Sequence, residues 1–175
     1  MSENWRIRFS VLCGASALAL SVVTGAPAQA DDSSGDLVEV EMPADVQIVE
    51  GVTPEPGAAL PSLEGTSRAT AASSTCLGTT SAYGSKGCFQ HDGDIVWAYD
   101  SEADGMSAAV GVYTDYGRAA EVCISSLSAG TWATCNKDYS EDGNVRLQVL
   151  RYDGDTGKFY QPEAWSGWIP VDGQY

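Results

Sequence analysis

The sequence predicts an all-β protein, an antiparallel meander that forms a small sandwich or barrel and carries two disulfides. Glycine-marked turns recur every 11 to 13 residues from Gly93 to Gly154. The runs between these turns are rich in Val, Ile, Thr, Trp and Tyr, and no window carries a helical apolar stripe. The region also holds four cysteines, a number typical of a small disulfide-bonded domain: Cys76, Cys88, Cys123 and Cys135.

Residues 1–30 have the layout of a secretory signal peptide. A positive start with Arg6 and Arg8 precedes an apolar run over 9–23, and "APAQA" then ends in the small-x-small pattern at Ala30. The apolar run is too short for a membrane span, and no later segment is apolar enough to form one. We therefore expect cleavage after Ala30 and a secreted, extracellular protein.

Residues 31–75 have the composition of a disordered acidic linker. The stretch 31–74 has no aromatic residue, nine acids and one base, Arg68. Such a segment buries too little apolar surface to offset the entropy lost on ordering. Within it, "LVEVEM" and "VQIVEGV" alternate like strands, and docking of these two segments on the domain is the alternative to disorder.

Residues 76–175 form the expected folded domain, a sandwich or barrel. It contains 14 acids and six bases. This charge balance repels nucleic acid and anionic membranes, so neither is expected as a partner.

Four turn motifs predict how the strands of this domain pair. Two are typical of two-residue hairpins and two of three-residue loops: Asp104-Gly105, Asp142-Gly143, Asp115-Tyr116-Gly117 and Ser128-Ala129-Gly130. Because side chains alternate along a strand, the four turns together predict five neighbouring strands with one continuous apolar face. Val110 is expected opposite Val122 on that face, which also carries Trp132 and Leu147.

The same register predicts the disulfides. It places Cys123 opposite Cys135 on the other face, which leaves Cys76 to pair with Cys88. The other two pairings stay open, because sequence alone does not determine connectivity.

The stretch "DSEADG", from Asp100 to Gly105, begins like a calcium-binding loop. On an extended strand that ends in a hairpin, Asp100 and Asp104 are about 13 Å apart, at about 3.3 Å per residue. One calcium ion needs six to eight oxygens within about 2.6 Å. We therefore expect a hairpin turn and no cofactor, with calcium binding as the alternative.

Catalytic patterns are missing from the sequence. The single histidine, His91, flanks a turn, no serine lies in a nucleophile-elbow pattern, and paired cysteines offer no thiolate. Two carboxylates could hydrolyse a glycoside, but an abundance of acids is not a pattern. We expect no enzyme activity, no catalytic residue and no metal ligand.

The segment "AWSGWIP" places Trp165 and Trp168 close together, shortly after Tyr160. Exposed aromatic side chains can stack on sugars or anchor a protein partner. Residues three apart point to opposite faces of a straight strand, so a shared platform requires a bend at Ser166-Gly167. The alternative is that one Trp closes the core and the other covers an end. We expect a non-catalytic binding module for an extracellular protein or glycan that uses these three aromatic residues.

The runs "GCFQHDGDIVWAYDSEADGMSAAV", "TDYGR", "GTWATC", "GDTG" and "AWSGWIP" resemble small secreted proteins of actinobacteria. The resemblance covers about 85–170. It implies export and one compact domain, and it implies no activity and no site residues. In class, the chain also resembles small two-disulfide β-sandwich inhibitors of secreted hydrolases. Inhibition of such a hydrolase is therefore the alternative function.

Overall fold

The computed structural model describes residues 37–61 and 76–175, and the protein is all-β over these ranges, as predicted. The strands are β1 (Glu39–Val40), β2 (Gln47–Glu50), β3 (Leu77–Ala82), β4 (Ser85–Gln90), β5 (Ile95–Asp100), β6 (Ser107–Thr114), β7 (Glu121–Ser125), β8 (Trp132–Asn136), β9 (Asn144–Asp153) and β10 (Lys158–Pro170). The expected signal peptide, its cleavage site after Ala30, and the linker residues 31–36 and 62–75 lie outside the described residues.

The strands form two sheets that pack face to face. The large sheet has the order β1-β10-β9-β6-β7-β2, and the small sheet has the order β3-β4-β5-β8. The main core lies between them and takes side chains from both, including Phe89 and Val96 from the small sheet and Val110, Leu147 and Val149 from the large one. This arrangement is a sandwich, one of the two predicted architectures.

The predicted five-stranded meander is wrong at three of its turns. The motifs at Asp104, Ser128 and Asp142 each connect one sheet to the other, and only the turn between β6 and β7 joins neighbouring strands. Turn residues determine where a chain reverses, but at the rim of a sandwich the next strand can enter either sheet.

The predicted register between β6 and β7 is also wrong by one residue. Val110 lies opposite Cys123, and Val122 lies opposite Gly111. Val110 and Leu147 face the core between the sheets, whereas Val122 packs on the outer face of the large sheet and Trp132 belongs to a third cluster. Every residue of β7 is buried, so its apolar pattern does not distinguish one face from the other.

Both predicted disulfides are present, Cys76–Cys88 and Cys123–Cys135. The geometry of the second differs from the prediction. Because β7 and β8 belong to different sheets, Cys123–Cys135 links the two sheets instead of two neighbouring strands.

Two disulfides fit an extracellular protein. Over the described ranges, no helix is long and apolar enough to cross a membrane.

Part of the predicted disordered linker is ordered, and here the docking alternative holds. β1 pairs with β10 at one edge of the large sheet, and β2 pairs with β7 at the opposite edge. The connection between them packs Met42 and Val46 on the apolar outer face of the large sheet, against Ala109, Val122, Ile124, Leu150 and Phe159. For this stretch the prediction of disorder is wrong, because its alternating apolar residues have a second apolar face to cover.

Candidate functional site

A β-bulge in β10 places Trp165 and Trp168 on the same face of the large sheet. Trp165 lies opposite Gln148 and Trp168 lies opposite Arg146, with a register shift between the two tryptophans. Gln148 and Arg146 are two residues apart on β9, so they point to the same face. The extra residue therefore provides the bend that a shared platform requires.

Polar contacts from β9 hold this bulge. The Ser166 side chain is buried, and its Oγ accepts a hydrogen bond of 2.8 Å from the backbone N–H of Leu147. The Ser166 carbonyl oxygen accepts a second bond, of 3.0 Å, from Nε of Arg146. A Cβ at Gly167 would have no neighbour within 4 Å, so this position of the bulge faces open space.

The two tryptophans belong to a larger surface, here called the outer-face patch: Tyr113, Arg146, Gln148, Trp165 and Trp168. The Trp165 ring lies 4.8 Å from the Arg146 guanidinium carbon, and the centroids of the Tyr113 and Trp165 rings are 5.0 Å apart. Trp165 keeps 40% of its surface exposed and Trp168 keeps 49%. Trp165 is therefore supported by two neighbours, and both indoles keep a large part of their surface exposed to solvent.

Glu163 forms a polar rim beside the outer-face patch and is linked by hydrogen bonds to two of its residues, Gln148 and Tyr113. The Tyr113 hydroxyl donates a 2.7 Å hydrogen bond to Oε1 of Gln148, whose Nε2 donates to Glu163. Burial, followed by the nearby charge of Glu163, raises the pKa of Tyr113 to about 12. The hydroxyl is thus neutral at physiological pH, and a hydrogen-bonded chain runs from this phenol through the Gln148 amide to the Glu163 carboxylate at the rim.

Tyr160, the third predicted binding residue, lies apart from this patch. It is opposite Arg151 on β9, and the Arg151 side chain points between the sheets toward Asp100. Directly opposite residues share a face, so Tyr160 lies on the side of the sheet away from Trp165 and Trp168. The prediction missed Tyr113, Arg146 and Gln148, because only the observed β6–β9 pairing brings them beside β10.

The acidic loop after β5 binds an arginine of the protein itself. Nη1 of Arg151 is 3.1 Å from Oδ1 of Asp100, and Nη2 of the same guanidinium contacts Asp104. The two aspartates converge because the chain loops from the small sheet to the large one, so the predicted hairpin and its 13 Å separation are wrong. In the part of the chain that the structure describes, no group of three or more His, Cys, Asp or Glu is placed to hold a metal.

A second buried polar cluster lies at the edge between β7 and β8. The Glu121 carboxylate accepts the Tyr139 hydroxyl at 3.0 Å and contacts Arg118 at 3.1 Å and Lys137 at 3.4 Å. Burial, and then the charge of Glu121, raise the pKa of Tyr139 strongly. The carboxylate has three partners, so this cluster stabilises the edge and offers no free group for chemistry.

Comparison with protein-family models, curated proteins and solved structures gives no match. Two exposed indoles on one face of the sheet, bordered by hydrogen-bonding groups, suit a ligand with an apolar face and polar edges.

Proposed function

We propose that the protein is a secreted, non-catalytic binding module that recognises a glycan through the outer-face patch, after removal of a signal peptide at Ala30. One observation carries the proposal: the bulge at Ser166 places Trp165 and Trp168, both about half exposed, on one outward face. Two neighbouring indoles on one face can stack on successive sugars of a chain.

The chemistry of the patch favours a glycan over a protein partner. The apolar face of a sugar packs on an aromatic ring, and its hydroxyls need donors and acceptors at the ring edge. Arg146 offers donors there, and the exposed Glu163 carboxylate offers acceptors, while the buried Gln148 amide holds Tyr113 and Glu163 in place. Tyr113 and Arg146 already hold Trp165 in place, which lowers the entropy cost of binding.

The direct test is a titration of the mature protein with soluble glucan, xylan, mannan and chitin oligosaccharides. Binding is measured by tryptophan fluorescence and by calorimetry. We expect Trp168→Ala and Trp165→Ala each to weaken binding roughly tenfold or more, as for a central aromatic anchor. Tyr83→Ala is the matched control, because Tyr83 is 65% exposed on the turn between β3 and β4 of the other sheet. This control should bind like the unaltered protein.

Two outcomes would contradict the proposal. Unchanged affinity in both tryptophan variants would exclude the patch as the binding surface. Release of new reducing ends during prolonged incubation with the bound glycan would show catalysis instead of simple binding.

A protein partner for the β3–β4 hairpin is the second candidate, and a specific observation favours it. Tyr83 projects from a turn whose Gly84 carbonyl accepts bonds from Arg151 and from the backbone N–H of Ser101. A rigid exposed aromatic residue of this kind suits a hydrolase inhibitor. Stoichiometric inhibition that Tyr83→Ala abolishes and Trp168→Ala spares would favour this function.

A further inference from the structure

We infer that Arg146 is a ligand-contacting, specificity-determining residue of the outer-face patch and that the glycan it reads is uncharged; this inference rests on the proposed function. Arg146 lies at the centre of the patch. On the three adjacent strands β6, β9 and β10, it is opposite Tyr113 on one side and Trp168 on the other.

The Arg146 guanidinium is fixed but only partly used. Nε donates to the Ser166 carbonyl oxygen at 3.0 Å, and the guanidinium carbon lies over the Trp165 ring, 4.8 Å from its centroid. Among the described residues, no acceptor bonds Nη1 or Nη2. The side chain is half-buried, so these two nitrogens form a preorganised pair of donors beside both indoles.

A donor pair in this position fits two neighbouring oxygens of a sugar that stacks on an indole. Hydroxyl oxygens are acceptors with lone pairs to spare, and the planar fork of Arg can bond two of them at once. The sugar hydroxyl hydrogens can in turn be donated to Glu163 at the rim. Stacking would supply affinity, and Arg146 would select the position and orientation of the oxygens.

The charges around the patch argue against an anionic ligand. Glu163 lies at one end, where it contacts Gln148, and Asp115 lies at the other, where it bonds the backbone N–H of Asn144 at 2.9 Å and the side chain at 2.7 Å. Arg146 is therefore a single positive charge between two carboxylates. The whole chain has a formal net charge of −15, so a polyanion would be repelled before it reached the patch.

The test uses the neutral polysaccharide that binds tightest in the panel and an anionic form of the same polymer: glucan, mannan or chitin oxidised at C6 to carboxylate, or, for xylan, the polymer that carries glucuronic acid side groups. Unaltered protein, Arg146→Met and Arg146→Lys are titrated with both polymers at about 50 mM and about 500 mM NaCl, where screening differs strongly. The matched control is Arg118→Met, because Arg118 also lies over an aromatic ring, 4.9 Å from the Tyr139 centroid, but on the β6–β7 turn. Thermal unfolding of each variant verifies that it is folded.

We expect Arg146→Met to weaken binding of the neutral polymer roughly tenfold or more and Arg146→Lys to restore only part of the loss, since Lys lacks the fork. The anionic polymer should bind more weakly than the neutral one, and the affinity for the neutral polymer should be insensitive to salt. A purely structural arginine would not change the preference between the two polymers.

Tighter, salt-sensitive binding of the anionic polymer would overturn the inference and make Arg146 a carboxylate-binding residue. Unchanged binding in Arg146→Met, together with a loss in Trp168→Ala, would overturn the inference and leave the proposed function standing. If no glycan binds, the proposed function and this inference both fail.

Discussion

The guanidinium of Arg151 and the carboxylate of Asp100 form a buried ion pair that joins the two sheets, with Nη1 3.1 Å from Oδ1. Their side chains are only 2% and 5% exposed. Arg151 belongs to β9 of the large sheet, and Asp100 ends β5 of the small sheet. The same guanidinium bonds the Gly84 carbonyl oxygen, so a single side chain links the β3–β4 turn, the loop after β5 and the large sheet.

Breaking this pair should destabilise the fold strongly. Arg151→Met leaves Asp100 buried without its counter-charge, and we expect a loss of about 3 to 5 kcal/mol in the free energy of unfolding. Asp104→Asn is the control: Asp104 contacts the same guanidinium, but its side chain is 37% exposed, so its loss should cost about 1 kcal/mol or less. Urea unfolding followed by tryptophan fluorescence measures both. Equal losses in the two variants would show that burial of the ion pair does not determine its contribution to the free energy of unfolding.

The β3–β4 turn should tolerate no side chain at Gly84. Its φ is +76°, and a Cβ there would overlap the Arg151 guanidinium. Gly105 has a similar φ of +84° with nothing within 4 Å of a Cβ, so Gly105→Ala should lose only the backbone term of about 1 kcal/mol. We expect Gly84→Ala to unfold at a clearly lower urea concentration than Gly105→Ala. Coincident unfolding curves would mean that Arg151 moves aside freely.

Stability should fall in alkaline solution as Tyr113 ionises. Its pKa is raised from 10.0 to about 12 in the folded protein, so folding favours the neutral hydroxyl. The resulting stabilisation is complete below pH 10 and is lost as the pH rises toward 12. Tyr139, whose pKa is also raised, acts in the same direction. Urea unfolding at a series of pH values should show a shallower alkaline decline in Tyr113→Phe than in the unaltered protein, and an equally steep decline in both would contradict the prediction.

The docked segment that contains β1 and β2 should depend on the small size of Gly51. A Cβ there would lie 2.8 Å from the Ala133 Cβ and 2.9 Å from the Ile124 carbonyl oxygen, so it would press against both sheets. We expect Gly51→Val to loosen the segment and cost about 1 to 3 kcal/mol by overpacking. Hydrogen exchange should then speed up in β7, the partner of β2. Gly154→Ala, on the turn between β9 and β10, is the control, because its Cβ would meet only the Tyr152 ring at 3.9 Å; equally slow exchange of β7 in both variants would contradict the prediction.

The sequence predicts the fold class and the disulfides because both depend on local or compositional features. Glycines such as Gly105, Gly117 and Gly130 do lie in turns with positive φ, and cysteine number and spacing restrict the pairing. Sheet membership is different: it depends on which sheet a strand enters after a turn at the rim of the sandwich. The Cys123–Cys135 pairing was therefore predicted correctly from a strand pairing that does not occur.

The candidate site is only partly visible in the sequence. The sequence predicts that Trp165 and Trp168 share a face only if the strand bends between them. The small residues Ser166 and Gly167 indicate where that bend can occur. Arg146 and Tyr113 could not be found, since β6 and β9 are neighbours in space but are separated in the chain by two other strands. The average composition of the linker favours disorder, whereas its two short alternating runs, "LVEVEM" and "VQIVEGV", indicated the docking that β1 and β2 show.

The most direct test of the account is a ¹⁵N-resolved NMR titration of the mature protein with the bound glycan, in which the indole N–H signals are followed. The signals of Trp165 and Trp168 should shift together, and both shifts should fit a single dissociation constant. The signals of Trp97 and Trp132, which are 2% and 6% exposed, should stay in place. A shift confined to one of the two exposed indoles, or movement of the buried pair alone, would contradict a binding surface built from Trp165 and Trp168.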